Sequence, residues 1–192
     1  MSKAALILQG AMQEFLARGY SAASMDRVAA AAAVSKATVY SHFGDKETLF
    51  KELVAQMAQK KMQSILSQMD YSLEPRASLR QLFSEAIADC NNVEYQNFQR
   101  MLIGESGRFP DLAKTFVIHM SKPGIEALTD YFKIKAVFDF PDPEAIARIV
   151  IGTIVHFNMT QYILHGEEIV PMESDRLLDA LELLLFNSSI SH

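Results

Sequence analysis

Proline occurs six times in this 192-residue chain, never before residue 75, and each one falls between segments of helical periodicity. The sites are Pro75, Pro110, Pro123, Pro141, Pro143 and Pro171. Between them apolar residues recur at spacings of three and four, and no stretch alternates as a half-buried strand would. A proline in a helix interior removes a hydrogen bond and clashes with the preceding turn, so the six sites act as boundaries. Cutting there gives about nine or ten helices and predicts an all-α fold.

The first helix is expected over residues 3–18, with Ile7, Ala11 and Phe15 on one face and Leu8 and Met12 beside them. Gly19-Tyr20 closes it, as a glycine just past a helix commonly does. Ser24 is a natural cap for a second helix reaching Ala31, which would bury Met25, Val28 and Ala29. A tight connection follows at Ala32-Ala33-Val34. Ser35 then caps a third short helix over residues 36–42, and Gly44 breaks it. Asp45 opens a fourth helix over residues 46–69, roughly 36 Å long at 1.5 Å per residue. Such a rod can be shared between a small N-terminal bundle and a larger C-terminal one. Further helices are expected at 76–90, 92–104, 110–121, 124–137, from Pro143 to about residue 165 behind the Asp142 cap, and at 173–186. The expected domains are residues 1–50 and 51–192.

Residues 24–50 carry the chemistry. Two short capped helices flank a brief turn, which is a helix-turn-helix. The second of them presents Ser35, Lys36, Thr38, Tyr40 and His42, all potential donors, while Val39 and Phe43 point to the core. A helix face with donors and no acids suits a groove lined with phosphates and base edges. Lys46 stands in the first turn of the next helix, where backbone N–H groups add positive potential. Charge distribution agrees. The chain carries a net −5, but residues 1–51 hold six Lys/Arg against four acids, leaving +2 there and −7 in the remainder. A mildly basic reader on an acidic body fits that asymmetry.

This stretch resembles the TetR family of transcription regulators. The resemblance rests on Phe15, Gly19-Tyr20, Ser24-Met25-Asp26-Arg27-Val28-Ala29, the run Val34-Ser35-Lys36-Ala37-Thr38-Val39-Tyr40-Ser41-His42-Phe43, and Asp45-Lys46-Glu47-Thr48-Leu49. One position departs: the family usually carries glycine before Val-Ser, and this chain has Ala33. If that residue is left-handed, alanine costs on the order of 1 kcal/mol. The resemblance implies a sequence-specific reader of double-stranded DNA. Ser35, Thr38, Tyr40, His42 and Lys46 would hold the backbone and Lys36 would lie near base edges, with Ser24 and Arg27 completing the DNA-facing set. Residues 100–116 further resemble the Glu-x-x-Arg-Phe-Pro-x-Leu stretch of an AefR-like C-terminal subgroup, here Glu105, Arg108, Phe109, Pro110 and Leu112.

The last two helices are apolar around much of their circumference. Ile146, Ile149, Val150, Ile151, Ile154, Val155 and Phe157 fall on one, and Leu177, Leu178, Leu181, Leu183, Leu184, Leu185 and Phe186 on the other. One core face cannot use that whole surface, so a second partner is expected. The resemblance implies that the partner is the same helix pair of a second copy. A two-fold dimer would present two reading helices about 34–36 Å apart to a palindromic operator. It also implies a small-molecule effector that releases the repressor. Candidate lining residues are Met57, Phe83, Ile87, Phe98, Met101, Phe116, His119, Met120, His156, Phe157 and Tyr162, although ordinary core packing accounts for any one of them more readily. The Met/Phe-rich body suggests a hydrophobic effector.

No catalytic residue, cofactor or metal is expected. The chain lacks a phosphate-binding Gly-rich loop, Gly-x-Ser-x-Gly and His-Glu-x-x-His, and His119, His156 and His165 are spread over separate segments. Cys90, the single cysteine, falls in an apolar stretch and reads as a buried small hydrophobe, with a redox sensor as the alternative. No apolar run reaches the ~18 residues of a membrane span, so a cytoplasmic location is expected. An enzyme and a purely structural helical adaptor remain the competing classes; the adaptor would need no donor-rich third helix.

Overall fold

Serine and aspartate open the helices where their short side chains can take a free backbone N–H. The structure, a computed structural model, describes residues 2–88 and 92–187. Among the described residues it is helical without strands. Cys90 lies outside them.

Helix α1 (Lys3–Ala22) begins where Ser2 Oγ accepts from the Ala5 N–H at 3.2 Å. Gly19 leaves helical geometry at φ +73°, where it was expected to end the helix, and one more turn follows it to Ala22. Ser24 caps α2 (Met25–Ala31), and Ser35 Oγ caps α3 (Lys36–Phe43) by accepting from Thr38 N–H at 3.1 Å. Gly44, at φ +70°, ends α3. Asp45 Oδ1 accepts from Thr48 N–H at 2.7 Å and opens α4 (Lys46–Leu66). That bond favours the ionised form and holds the Asp45 carboxyl below its ordinary range. Helix α4 stops three residues short of expectation, because its end tightens into i→i+3 bonds from Gln68 N–H to Ile65 O and from Met69 N–H to Leu66 O.

Next come α5 (Pro75–Ala88), α6 (Val93–Ser106) and α7 (Pro110–Phe116). Helix α7 does not stop before Pro123. It widens into a π-helical turn at Val117–Ser121 and continues as α8 (Lys122–Ile134), with the proline in the first turn, where a missing N–H costs least. Asp142 Oδ1 caps α9 (Pro143–Asn158) through Ala145 N–H at 3.0 Å, and a second π turn carries the chain through Met159–Ile163. Helix α10 (Ser174–Asn187) closes the described chain.

Two compact units result. The first comprises Met1–Lys60 with Asn97–His119, so the ends of α6 and α7 join the N-terminal helices in it. The expected boundary after residue 50 falls inside this unit. Its core holds Ile7, Ala11, Phe15, Val28, Val39, Leu49, Phe50 and Leu53, with Phe98 and Leu112 from the later segment, all at or below 2% exposure. Burying each such side chain stabilises by about 1.5–3 kcal/mol. The second unit comprises Lys61–Gln96 with Met120–His192. In it α8 packs on α9 and α5 on α10, around Leu79, Tyr131, Phe132, Val150 and Leu178. Arg80 of α5 reaches Asp179 at 2.6 Å, Glu182 at 2.8 Å and Asp175 at 3.3 Å on α10. The hydrogen bonds to Glu182 and Asp179 raise its pKa above the ordinary arginine value.

Ala33 has φ +52°. The residue that departs from the family's glycine therefore occupies the left-handed region, and alanine carries the cost there. Ala33→Gly is expected to stabilise the protein by about 1 kcal/mol, read as a higher urea midpoint at unchanged slope. A lower midpoint would mean that the stiffer unfolded chain of the alanine form outweighs the strain.

Candidate nucleic-acid interface

Helix α3 is held from one side only. Val39 is fully buried and Phe43 nearly so, whereas Lys36, Ala37, Tyr40, Ser41 and His42 are exposed. Ser35 Oγ and Thr38 Oγ1 share a hydrogen bond of 2.8 Å, so the cap and the first turn fix each other's rotamers. Ser41 Oγ donates to Thr38 O at 2.9 Å. His42 Nδ1 lies 2.9 Å from the same carbonyl, which can only accept, so Nδ1 carries the proton. The Nε2 edge then accepts in the neutral ring and donates in the cation.

Lys36 Nζ is 2.7 Å from Asp26 Oδ1, with both side chains more than half exposed, and 5.8 Å from the Tyr40 ring centroid. The ion pair raises the lysine pKa. An exposed pair of this kind is weak. Lys36 can exchange it for a phosphate or a base edge, but α2 does place one acid beside the donor face that α3's own residues leave acid-free.

Arg27 and Lys46 have partners inside the unit. Arg27 Nε donates to Glu14 Oε1 at 2.5 Å, and its guanidinium also donates to Ala22 O. Glu14 is buried and further accepts from Ser24 N–H at 3.3 Å and pairs with Arg18 at 3.4 Å. Lys46 Nζ donates to Tyr20 O at 2.9 Å and to Ser21 O and Ala23 O at 3.2 Å each, with the Tyr20 ring 4.7 Å away. Both cations therefore sit on the C-terminal carbonyls of α1, where a helix end carries negative potential. Burial, together with the charges of Glu47, Asp45 and Glu105, raises the Tyr20 pKa. Glu14 went unnoticed in the sequence, although an acid one residue before Phe15 on the buried stripe of α1 was a visible signal.

The effector candidates divide between the units. Phe98 is fully buried in the first, with Met57, Met101, Phe116 and His119 partly buried. His119 Nδ1 accepts from Gln59 Nε2 at 3.1 Å. An open cleft of about 290 Å³ in that unit is lined by Phe15, Leu16, Gly19, Asn97, Met101, Gly104 and Glu105. In the second unit Phe83, Ile87 and Phe157 belong to the core, and Met120 and Tyr162 pack against it. His156 is exposed on α9. Among the described residues no three His, Cys, Asp or Glu gather as a metal site, and no helix is long and apolar enough to cross a membrane.

A capped two-helix reader with one helix face left free defines a helix-turn-helix DNA-binding protein. Residues 7–53 match the model of bacterial regulatory proteins of the tetR family, and residues 77–180, more than half of the chain, match the C-terminal domain of AefR-like transcriptional repressors. The chain belongs to the TetR family of transcriptional regulators, a family of DNA-binding repressors. It is 40% identical over 68 residues to the uncharacterized HTH-type transcriptional regulator YhgD of Bacillus subtilis (strain 168), a match spanning 35% of this chain and 36% of that protein. Its fold is similar to that of a protein from Mesorhizobium loti MAFF303099 placed among the TetR-family regulators, with 25% identity, a TM-score of 0.81, and coverage of 95% of this chain and 93% of that one. It is similar also to the flavonoid-responsive regulator FrrA, with 26% identity, a TM-score of 0.75, and coverage of 97% and 96%.

Proposed function

We propose that this regulator is a ligand-responsive repressor that binds a palindromic operator as a dimer and is released by a small molecule. The observation that carries the reading is the solvent-exposed donor face of α3, anchored from behind by Val39 and Phe43. Ser35, Lys36, Thr38, Tyr40 and His42 are its contacts to DNA. Ser24, Arg27 and Lys46 stand beside them and hold the reader's frame through Glu14 and the end of α1. The dimer forms through α9 and α10, whose Ile149, Val155, Leu183 and Leu184 are all more than half exposed in the single chain. An apolar face of that kind needs cover. The effector is hydrophobic, a reading supported by the Met- and Phe-rich body and by the likeness to a regulator described as flavonoid-responsive.

Selection from random duplex DNA, followed by anisotropy over a salt series, tests this. The expected result is enrichment of one palindrome. Lys36→Ala should bind it more weakly and lower the salt slope by about one unit, with relaxed preference at the contacted base. Recovery of no preferred sequence overturns operator reading. For the dimer, Ile149→Asp combined with Leu184→Asp should sediment as a folded monomer and bind the palindrome at least tenfold more weakly. A variant that remains dimeric removes α9 and α10 from the interface.

A further inference from the structure

The Glu105-x-x-Arg108-Phe109-Pro110-x-Leu112 stretch is the one sequence motif that the DNA-binding reading leaves without a role. In the structure it forms the corner between α6 and α7 and lands on the C-terminal turn of α1. The Phe109 ring meets the Tyr20 ring edge-on, with centroids 4.6 Å apart. Arg108 Nη1 donates to Ser21 Oγ at 3.0 Å, and its guanidinium lies 5.5 Å from the Phe109 ring centroid. Pro110 starts α7 directly behind, and Leu112, fully buried, pins that helix into the first unit's core. Asp111 and Lys51 of α4 lie close enough for each to shift the other's titration.

The turn that receives this corner is the same one that α2 grips through Arg27 on Ala22 O, and α4 through Lys46 on Tyr20 O, Ser21 O and Ala23 O. Tyr20 also stacks on Phe15 at 5.8 Å and meets Phe50 at a tilt, with centroids 4.8 Å apart. Three later elements thus converge on one helix end just before the reader, with Tyr20 and Ala23 buried and Ser21 and Ala22 exposed. A helix end held only by its neighbours transmits their displacement, because its own carbonyls have no further intrahelical partner. Residues 97–119 are flanked in sequence on both sides by the second unit.

We infer that Arg108 and Phe109 are positioning residues for DNA binding: they clamp the Tyr20-Ser21 turn and thereby set the orientation of α2 and α3. The inference rests on the operator-binding reading above. Neither residue touches DNA. Phe109 supplies the apolar seat for Tyr20, and Arg108 fixes its register through Ser21. Loss of the clamp lowers the population of the binding-competent head, and affinity falls by that fraction.

The test uses the full chain with two readouts. In hydrogen exchange, Phe109→Ala and Arg108→Ala are each expected to speed exchange about tenfold in residues 20–23 and in α3, with α5 and α10 unchanged. On the operator recovered by selection, Phe109→Ala is expected to bind about tenfold more weakly at an unchanged salt slope, and Phe109→Tyr to bind as wild type does. Arg108→Ala and Ser21→Ala should have equal effects that do not add in the double variant. Unchanged exchange in α3 for both variants overturns the inference, as does uniform loosening of the whole chain by Phe109→Ala with Arg108→Ala inert. If the wild-type protein selects no DNA, the operator reading fails. The exchange experiment then still decides whether the corner holds the head.

Discussion

Gly10→Leu is expected to abolish the folded N-terminal bundle, and with it DNA binding, while leaving α5 and α10 helical. Gly10 is buried in the middle of α1, where glycine costs about 1 kcal/mol relative to alanine. The structure shows what that residue does there. A Cβ at position 10 would lie 2.8 Å from Ala32 N, 3.0 Å from Ala32 Cβ and 3.1 Å from Ala32 Cα. The obstacle is the backbone at the end of α2, which cannot rotate aside as a long side chain could. For Gly10→Ala, helix propensity gains about 1 kcal/mol and overpacking costs about 1–3 kcal/mol, so a small net loss is expected. Leucine adds three further carbons against the same backbone. Forcing α1 and α2 apart then costs about 4 kcal/mol or more, a large part of the 5–15 kcal/mol typical of a whole domain. Urea unfolding followed by circular dichroism, with operator anisotropy beside it, checks both variants. A Gly10→Ala protein more stable than wild type would show that the two helices are not so closely packed.

What could be read from the sequence was local chemistry. The Ser24, Ser35, Asp45 and Asp142 caps each act within three residues of chain, and each opens its helix as expected. Gly19 and Gly44 likewise needed only their own backbone. The left-handed Ala33 is legible only in part, because the turn's geometry follows from the two helices on either side of it. The destinations of long side chains were not readable. The sequence places Arg27 in the DNA-facing set, and nothing local foretells that its Nε turns back to Glu14 across thirteen positions. Asp26 sits beside Lys36 because two helices cross, which no spacing rule within α3 encodes. The sequence predicts a break at Pro123, but the π turn before it lets the helical path absorb a residue without an N–H. The corner at Arg108-Phe109 was visible as a motif and silent about its seat, since Tyr20 lies 89 residues earlier in the chain.

Lys46→Ala is expected to destabilise the reader by about 2–3 kcal/mol and to weaken operator binding mainly for that reason. Three hydrogen bonds from the ammonium to Tyr20, Ser21 and Ala23 carbonyls disappear together, along with the approach to the Tyr20 ring. Hydrogen bonds to charged groups contribute about 1.5–3 kcal/mol each where water is excluded. Here one of the carbonyls is exposed and two are partly buried, so water replaces part of the loss and the sum stays well below three full bonds. A cation held over an aromatic face adds about 0.5–1 kcal/mol. Lys46→Met separates the packing of the stem from the charge, because it keeps the methylenes that lie along the bundle. Both variants should unfold at lower denaturant than wild type, alanine earlier than methionine. If the ammonium remains on α1 in the complex, the slope of log affinity against log salt changes by much less than one unit, whereas a lysine spent on a phosphate would remove about one. A full unit lost from the slope at unchanged stability would place Lys46 on the DNA and leave the end of α1 to Arg27 and the Arg108-Phe109 corner. The two measurements together thus decide whether this cation is part of the reader's frame or part of its contact surface.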